Sequence, residues 1–279
     1  MADTHRGLVA IITGAGRGLG RTMALGLLEA GAQVTGVEID PPALDELNAA
    51  AGAARQRLLP LNADVTREDE AHGIIAQTIE RFGRADVLVN NAGLNLTTVD
   101  PREIKTAASI RDIAPADYRR IFEVNAIGPF LVARAVIEPM LKQKWGRIIG
   151  VTTSLDTMYR KGMMPYGATK AAHECLVAAM ADELEGTGVT ANVLVPGGAA
   201  ITRMTAGYGA AQAKMIPPVV MVKPLLWLAS RASDGVNGRR FIGAQWDATL
   251  PPADAAAKCS APCAWPQLGR QSILPDGHR

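Results

Sequence analysis

Aromatic side chains are scarce: four Trp, four Tyr and four Phe make up 4% of the 279 residues. A core built on large rings is excluded. Ala, Gly, Val, Ile and Leu dominate, and small aliphatic residues suit helices packed closely on a parallel sheet. Cysteine is also sparse. Of Cys175, Cys259 and Cys263, only the last two are close in sequence, and no second pair completes a zinc site. His5, His72, His173 and His278 do not cluster, so neither a metal nor a structural disulfide is expected. Charge of one sign is lacking too. The net charge is +2, with both signs spread along the chain. This argues against a nucleic-acid track and favours a small-molecule substrate over a polymer. No apolar run reaches the ~18 residues of a membrane helix. The short polar stretch 1–7 runs straight into a strand, unlike a signal peptide. The expectation is a cytoplasmic protein with no membrane and no nucleic acid among its partners.

What is present is a rhythm. Short apolar runs at 8–13, 33–39, 58–63, 86–90, 147–152, 190–195 and 240–244 read as seven strands. Helical patterns lie between them, at 18–30, from Pro41 onward, and at 67–82, 115–142, 165–184 and 218–230. Gly31 ends the first helix, and Pro41 and Pro42 open the second. Strands alternating with helices predict right-handed crossovers and one α/β domain, a doubly wound, mostly parallel seven-stranded Rossmann-like sheet over residues 1–247. Residues 248–279, rich in Pro and Ala, read as an irregular C-terminal extension. Segments 94–113 and 199–217 both leave carboxyl ends of strands, where such sheets bind ligands, and so are expected to wall a substrate pocket.

The turn T-G-A-G-R-G-L-G at 13–20 joins the first strand to the first helix. Gly14, Gly18 and Gly20 permit a tight turn and close backbone approach to a ligand. Arg17 and Leu19 lie between them, and the helix N-terminus presents free N–H groups to a pyrophosphate. Glu38 ends the second strand, near the ~20-residue offset at which a carboxylate meets an adenosine ribose. Asp64, followed by Val65, either approaches the adenine edge or caps the next helix, a role Thr66 can also fill. Asn91, Ala92 and Gly93 form a small turn beside the same cleft.

Tyr166 and Lys170 are four apart on a predicted helix and project from one face. A free tyrosine titrates near ~10, too high for a base at neutral pH. A neighbouring ammonium lowers such a group by ~1–3 units, which makes the phenol a usable acid/base for an alcohol/ketone pair. Ser154 ends the fifth strand, where its hydroxyl either holds a substrate oxygen or serves as a cap. Thr152 and Thr153 adjoin it, so three neighbouring hydroxyls are candidates for that role. Asn125 is polar within an apolar helix and demands a partner; a structural and a catalytic role are both open.

In this order, these residues resemble the short-chain dehydrogenase/reductase family. The marks are T-G-A-G-R-G-L-G at 13–20, N-A-D-V at 62–65, N-N-A-G at 90–93, V-N-A-I-G at 124–128, T-T-S at 152–154, Y-G-A-T-K at 166–170 and V-P-G-G at 195–198. The resemblance implies a tetrad of Asn125, Ser154, Tyr166 and Lys170. In it Tyr166 moves the proton, Lys170 lowers the Tyr166 pKa and binds the nicotinamide ribose, Ser154 orients the substrate oxygen, and Asn125 holds a water linked to Lys170. It also implies cofactor contacts from Pro196, Gly197 and Thr202, and a homo-oligomer, most often a tetramer, built through the long helices. Serine-to-tyrosine spacing in the family is often one residue longer, which keeps Thr153 as a rival to Ser154. The segment between Asn91 and Asn125 is longer than is usual, and the last strand, R-R-F-I-G-A-Q-W-D, lacks the common D-G-G ending.

The expected reaction is reversible oxidation of a secondary alcohol to a ketone with a nicotinamide dinucleotide. The apolar residues Met204, Tyr208, Met215 and Ile216 in the second wall favour an apolar or cyclic carbonyl compound. Two other classes remain: a cofactor-binding regulator without turnover, and a lyase or epimerase on the same scaffold. For the cofactor, Glu38 favours NAD, because a carboxylate facing a 2′-phosphate costs ~1–3 kcal/mol after screening of a ~4 kcal/mol repulsion. Arg17 argues for NADP. The acid, held at a strand end, outweighs an arginine that can swing away, so NAD is preferred and NADP is possible.

Overall fold

The computed structural model describes residues 4–99 and 109–268. Residues 100–108 of the first expected pocket wall, and 269–279 of the tail, lie outside the described residues. β1 (Val9–Thr13), β2 (Gln33–Glu38), β3 (Leu58–Asn62), β4 (Val87–Asn90), β5 (Gly146–Val151), β6 (Val189–Val195) and β7 (Arg239–Ile242) form a parallel sheet. The order is β3-β2-β1-β4-β5-β6-β7, followed by β8 (Ser260–Pro262). The chain leaves β1 for β2 on one side and resumes at β4 on the other. The switch point therefore lies between β1 and β4, where a cleft must open beyond the carboxyl ends of the strands.

Both faces of the sheet are covered, so alternate strand residues feed two cores. Ala10 and Ile12 face Met23 and Leu27 of α1 (Gly18–Glu29). Ile11 faces the other layer, which is built from α3 (Glu68–Phe82), α6 (Gly128–Gln143) and α8 (Tyr166–Glu183). Between these lie α2 (Pro41–Ala50), α4 (Leu96–Val99), α5 (Pro115–Phe122) and α7 (Leu155–Tyr159). α9 (Val222–Leu228) joins the first core through Leu225 and Leu228. Gly31 takes φ +94° after α1, as its position at a helix end requires.

Two expectations need correction. Among the described residues the sheet has eight strands, not seven, and the part of the extension over 248–268 is not irregular throughout. Pro252–Lys258 forms α10, and β8 pairs antiparallel with β7, with Arg240 opposite Ala261. The signal was hidden because β8 has only three residues, ends in proline and follows Cys259. Such a run is strand only when an open edge receives it, and proline is tolerated there as an edge residue. The long helical region 115–142 is also divided: α5 and α6 are joined by a π-helical turn, Glu123–Ile127. By length and composition the whole Pro115–Gln143 stretch could cross a membrane. Here Val132, Val136 and Met140 are buried in the second core.

Candidate active site

The carboxyl end of β1 sets the site. Gly14 (φ +64°) turns the chain sharply, and a Cβ there would come within 2.8 Å of Ala92 Cα. A Cβ on Gly20 would collide with the Gly14 carbonyl oxygen. These glycines leave a bare backbone cradle at the N-terminus of α1. Gly18 faces Thr202, whose Cγ2 would be 3.0 Å from a Cβ at that position. The neighbouring turn is locked to the cradle. Thr13 Oγ1 accepts from the N–H groups of Asn91 (3.0 Å) and Ala92 (3.1 Å). Asn91 Nδ2 donates to the carbonyls of Thr13 (2.9 Å) and Gly14 (3.1 Å). Thr13, the first residue of the T-G-A-G-R-G-L-G turn, is thus the anchor between the two turns, a role its place in the sequence did not reveal.

Glu38 is held by backbone. Its Oε2 accepts from Gly16 N–H at 3.1 Å, and its Oε1 accepts from Ile39 (3.0 Å) and Asp40 (3.2 Å). Arg17 is paired with Asp40 at 2.6 Å. Asp64 does serve its own turn: its Oδ1 accepts from Thr66 N–H (2.9 Å) and Thr66 Oγ1 (2.8 Å). It also lines the cavity, as does Val65.

One cavity of about 1140 Å³ runs along the strand ends. Gly14, Arg17, Gly18, Leu19, Gly20, Glu38, Asn91, Ala92, Gly93, Pro196 and Thr202 line it together with Tyr166 and Lys170. Gly197 does not. It takes φ +105° and faces Ile242 and Ala244 on the β7 side, so it shapes the turn rather than the cleft. Of the second wall, Met204 and Tyr208 line the cavity, whereas Met215 and Ile216 do not.

At the other end of the cavity, Tyr166 begins α8. Burial pushes its hydroxyl up to about 12, and the Thr153 side chain beside it lowers it only in part. The lowering expected from the sequence is therefore absent in the protein alone, because a phenolate is poorly solvated there. Lys170 is also buried, and burial brings its ammonium down to about 8. Its Nζ donates to the Val151 carbonyl at 2.9 Å and lies 5.9 Å from the Tyr166 ring centroid. Gly93 keeps room for it, since a Cβ there would approach Lys170 Nζ to 3.4 Å. His173, one turn further along α8, is held neutral by burial and by the Lys170 charge.

Ser154 is placed differently from the expectation. Its Oγ lies 2.6 Å from Thr157 Oγ1 at the start of α7, and it does not line the cavity; Thr153 does. The reason is local geometry: α7 begins immediately after Ser154, and that hydroxyl turns toward the new helix. Asn125 is also off the cavity lining. Its Oδ1 accepts from Leu94 N–H (2.7 Å), and its Nδ2 donates to Leu94 O (2.8 Å) and Thr169 Oγ1 (2.9 Å). It ties the loop after β4 to α8.

The cavity thus joins a glycine cradle to the Tyr166 phenol, the Thr153 hydroxyl and the buried Lys170 ammonium. A family model described as short chain dehydrogenase matches residues 8–213, and the chain belongs to that family of oxidoreductases. Among curated proteins, it is 31% identical to fluoren-9-ol dehydrogenase of Terrabacter sp. (strain DBF63), covering 86% of this chain and 72% of that protein. It is 36% identical to the 3-oxoacyl-[acyl-carrier-protein] reductase of Synechocystis sp. (strain ATCC 27184 / PCC 6803 / Kazusa), over 68% and 73%. Among solved structures, the fold resembles 3-ketoacyl-(acyl-carrier-protein) reductase from Brucella melitensis complexed with NADH. That match has a TM-score of 0.74 and 24% identity, and covers 84% of this chain and 95% of that one.

Proposed function

We propose that the protein interconverts a secondary alcohol and a ketone with a nicotinamide dinucleotide, NAD in preference to NADP. The observation that carries this reading is that Thr153, Tyr166 and Lys170, one turn along, line the same cavity as the glycine cradle. The cradle fits a dinucleotide, since Gly14, Gly18 and Gly20 line the cavity at the N-terminus of α1, where free backbone N–H groups suit a pyrophosphate. When bound, the nicotinamide supplies or accepts the hydride. Tyr166 Oη gives its proton to the carbonyl oxygen in reduction and takes one from the alcohol in oxidation. Thr153 Oγ1 holds the same substrate oxygen. The Lys170 ammonium stabilises the phenolate that remains. The preference for NAD is supported by Glu38, which three backbone N–H groups hold at the end of β2. Arg17 is already engaged by Asp40.

For the substrate, Leu94, Leu96, Met163, Met164 and Met204 favour an apolar carbonyl compound. A second reading rests on Arg119, Arg120, Arg160 and Arg203, which line the same cavity with Glu123 and would suit a substrate bearing a carboxylate or phosphate. We also propose a homo-oligomer, with a tetramer as the expected size, because Ile127 and Phe130 on the α5–α6 stretch remain 48% and 47% exposed.

The test is a panel of apolar, cyclic and anionic ketones and alcohols, each with NAD and NADP, read by nicotinamide absorbance. Turnover is expected with at least one member, faster with NAD. In Tyr166→Phe it should fall by about 100- to 10,000-fold with the fold intact. A folded Tyr166→Phe protein with near-normal kcat would remove Tyr166 from the chemistry. Product formation without a stoichiometric change in nicotinamide absorbance would instead favour a lyase or epimerase.

A further inference from the structure

The loop Thr152–Ser154 carries the hydroxyl assigned above, yet it lies beyond the β5–β6 ladder, which ends at Val151 opposite Leu194. Something other than the sheet must hold it. The atoms that do so come from Glu174 on α8 and Arg240 on β7. Arg240 Nη2 donates to the Thr153 carbonyl, and Arg240 Nη1 donates to Glu174 Oε2. Thr152 Oγ1 donates to the same Glu174 oxygen at 2.9 Å and lies 3.4 Å from Arg240 Nη1. Both charged side chains are buried, at 7% and 0% exposure.

The sheet register makes this possible. Gly150, Val193 and Arg240 share one row across β5, β6 and β7. Gly150 has no side chain, and a Cβ there would strike Val177 and His173 of α8. That face belongs to α8, where Glu174 waits. The tail completes the enclosure: Ala264 N–H lies 3.5 Å from Glu174 Oε1, and β8 covers the edge of β7. A buried ion pair is weak as a source of stability, because desolvation offsets most of its attraction and an apolar pair of similar size often serves as well. Stability therefore does not account for two charges placed behind this loop, whereas fixing a catalytic hydroxyl does.

We propose that the buried Glu174–Arg240 pair is a positioning device: it fixes the Thr152–Thr153 backbone so that the Thr153 hydroxyl meets Tyr166. This rests on the reading of Tyr166 and Thr153 as the proton-handling pair. Neither Glu174 nor Arg240 touches the substrate. Both act through Thr153, and a misplacement of about 1 Å at such a group can cost about 100-fold in rate.

The test replaces both charges at once, with Glu174→Leu and Arg240→Met in one protein, alongside the single variant Arg240→Lys. Four quantities are measured: melting temperature, kcat and KM on the best substrate of the panel, NAD affinity by fluorescence, and the Tyr166 Cζ chemical shift in protein with isotope-labelled tyrosine. Only four tyrosines are present, so assignment is direct. The double variant should melt close to the unaltered protein and bind NAD within twofold. Its kcat should drop by about 10- to 100-fold, and its Tyr166 signal should move to where Thr153→Ala places it. Arg240→Lys keeps the charge but cannot span both acceptors, so it should lie between; it also keeps the test alive if the double variant does not fold. A folded variant with kcat within twofold and an unmoved Tyr166 signal would overturn the proposal. If the unaltered protein turns over nothing in the panel, the reaction reading fails, and the Tyr166 signal still reports whether the pair holds the loop.

Discussion

Thr153 and Ser154 are adjacent hydroxyls in different surroundings, and one residue of register separates the hydroxyl proposed to be catalytic from one turned toward α7. Thr153 lines the cavity with Tyr166, while Ser154 is spent on Thr157. Thr153→Ala should therefore lower kcat by about 100- to 1000-fold, the usual loss for one oriented donor at a reacting oxygen. Ser154→Ala should change it by only a fewfold, and neither should alter NAD affinity. Steady-state kinetics on the two variants decide it, and the reverse order would return the role to Ser154. Sequence spacing left both hydroxyls open because three consecutive residues, Thr152, Thr153 and Ser154, all carry one. The choice depended on where α7 begins, and no motif records that.

Among the elements, the α5–α6 stretch shows how a local irregularity serves a distant join. A continuous helix would be the simpler expectation over residues 115–142, but the π-helical turn carries Asn125 at the point where three segments meet. Its amide serves both polar groups of Leu94 and the hydroxyl of Thr169, which itself donates to the Tyr166 carbonyl at 2.7 Å. Asn125→Leu would leave the Leu94 N–H and C=O without this partner, at about 1–3 kcal/mol for each group. We expect a loss near 3 kcal/mol in urea unfolding, with the loop after β4 the first region to lose amide-exchange protection. A loss below about 1 kcal/mol would mean that other groups replace the amide. The sequence flagged Asn125 as polar in apolar company. Its partners, 31 and 44 residues away, came only from the fold.

For the whole molecule, burying Lys170 and Tyr166 links stability to pH. Lys170 falls to about 8 in the folded protein from an ordinary 10.5. Between those values the unfolded chain holds a proton that the folded chain has released, so this group makes stability rise with pH. Tyr166 does the opposite: raised to about 12 from 10.0, it keeps a proton that the unfolded chain loses, so its contribution falls over that range. Cys263, pushed by burial to about 11 from 9.0, opposes Lys170 over part of its window. The readable quantity is therefore the difference between the unaltered protein and Lys170→Met. Measured by denaturant unfolding without cofactor, it should climb by about 3 kcal/mol from pH 8 to 10.5. A flat difference would show that Lys170 is solvated in the protein alone.

The sequence by itself determined the alternation of strands and helices, the parallel sheet and the glycine cradle. It also determined the Tyr166/Lys170 pair. These depend on periodicity, on residues without side chains and on fixed spacing along one helix, all of which are local. Only the tertiary structure decided that Thr153 and not Ser154 lines the cavity with Tyr166, that Gly197 turns away from the cleft, and that Glu38 is held by the glycine turn. It also decided that the tail adds an eighth strand and that Arg240 meets Glu174 behind the Thr152–Ser154 loop. The physical reason is common to these cases. Each is settled by hydrogen bonds or packing between segments far apart in the chain, and a buried polar group takes its meaning from the partner the fold delivers to it.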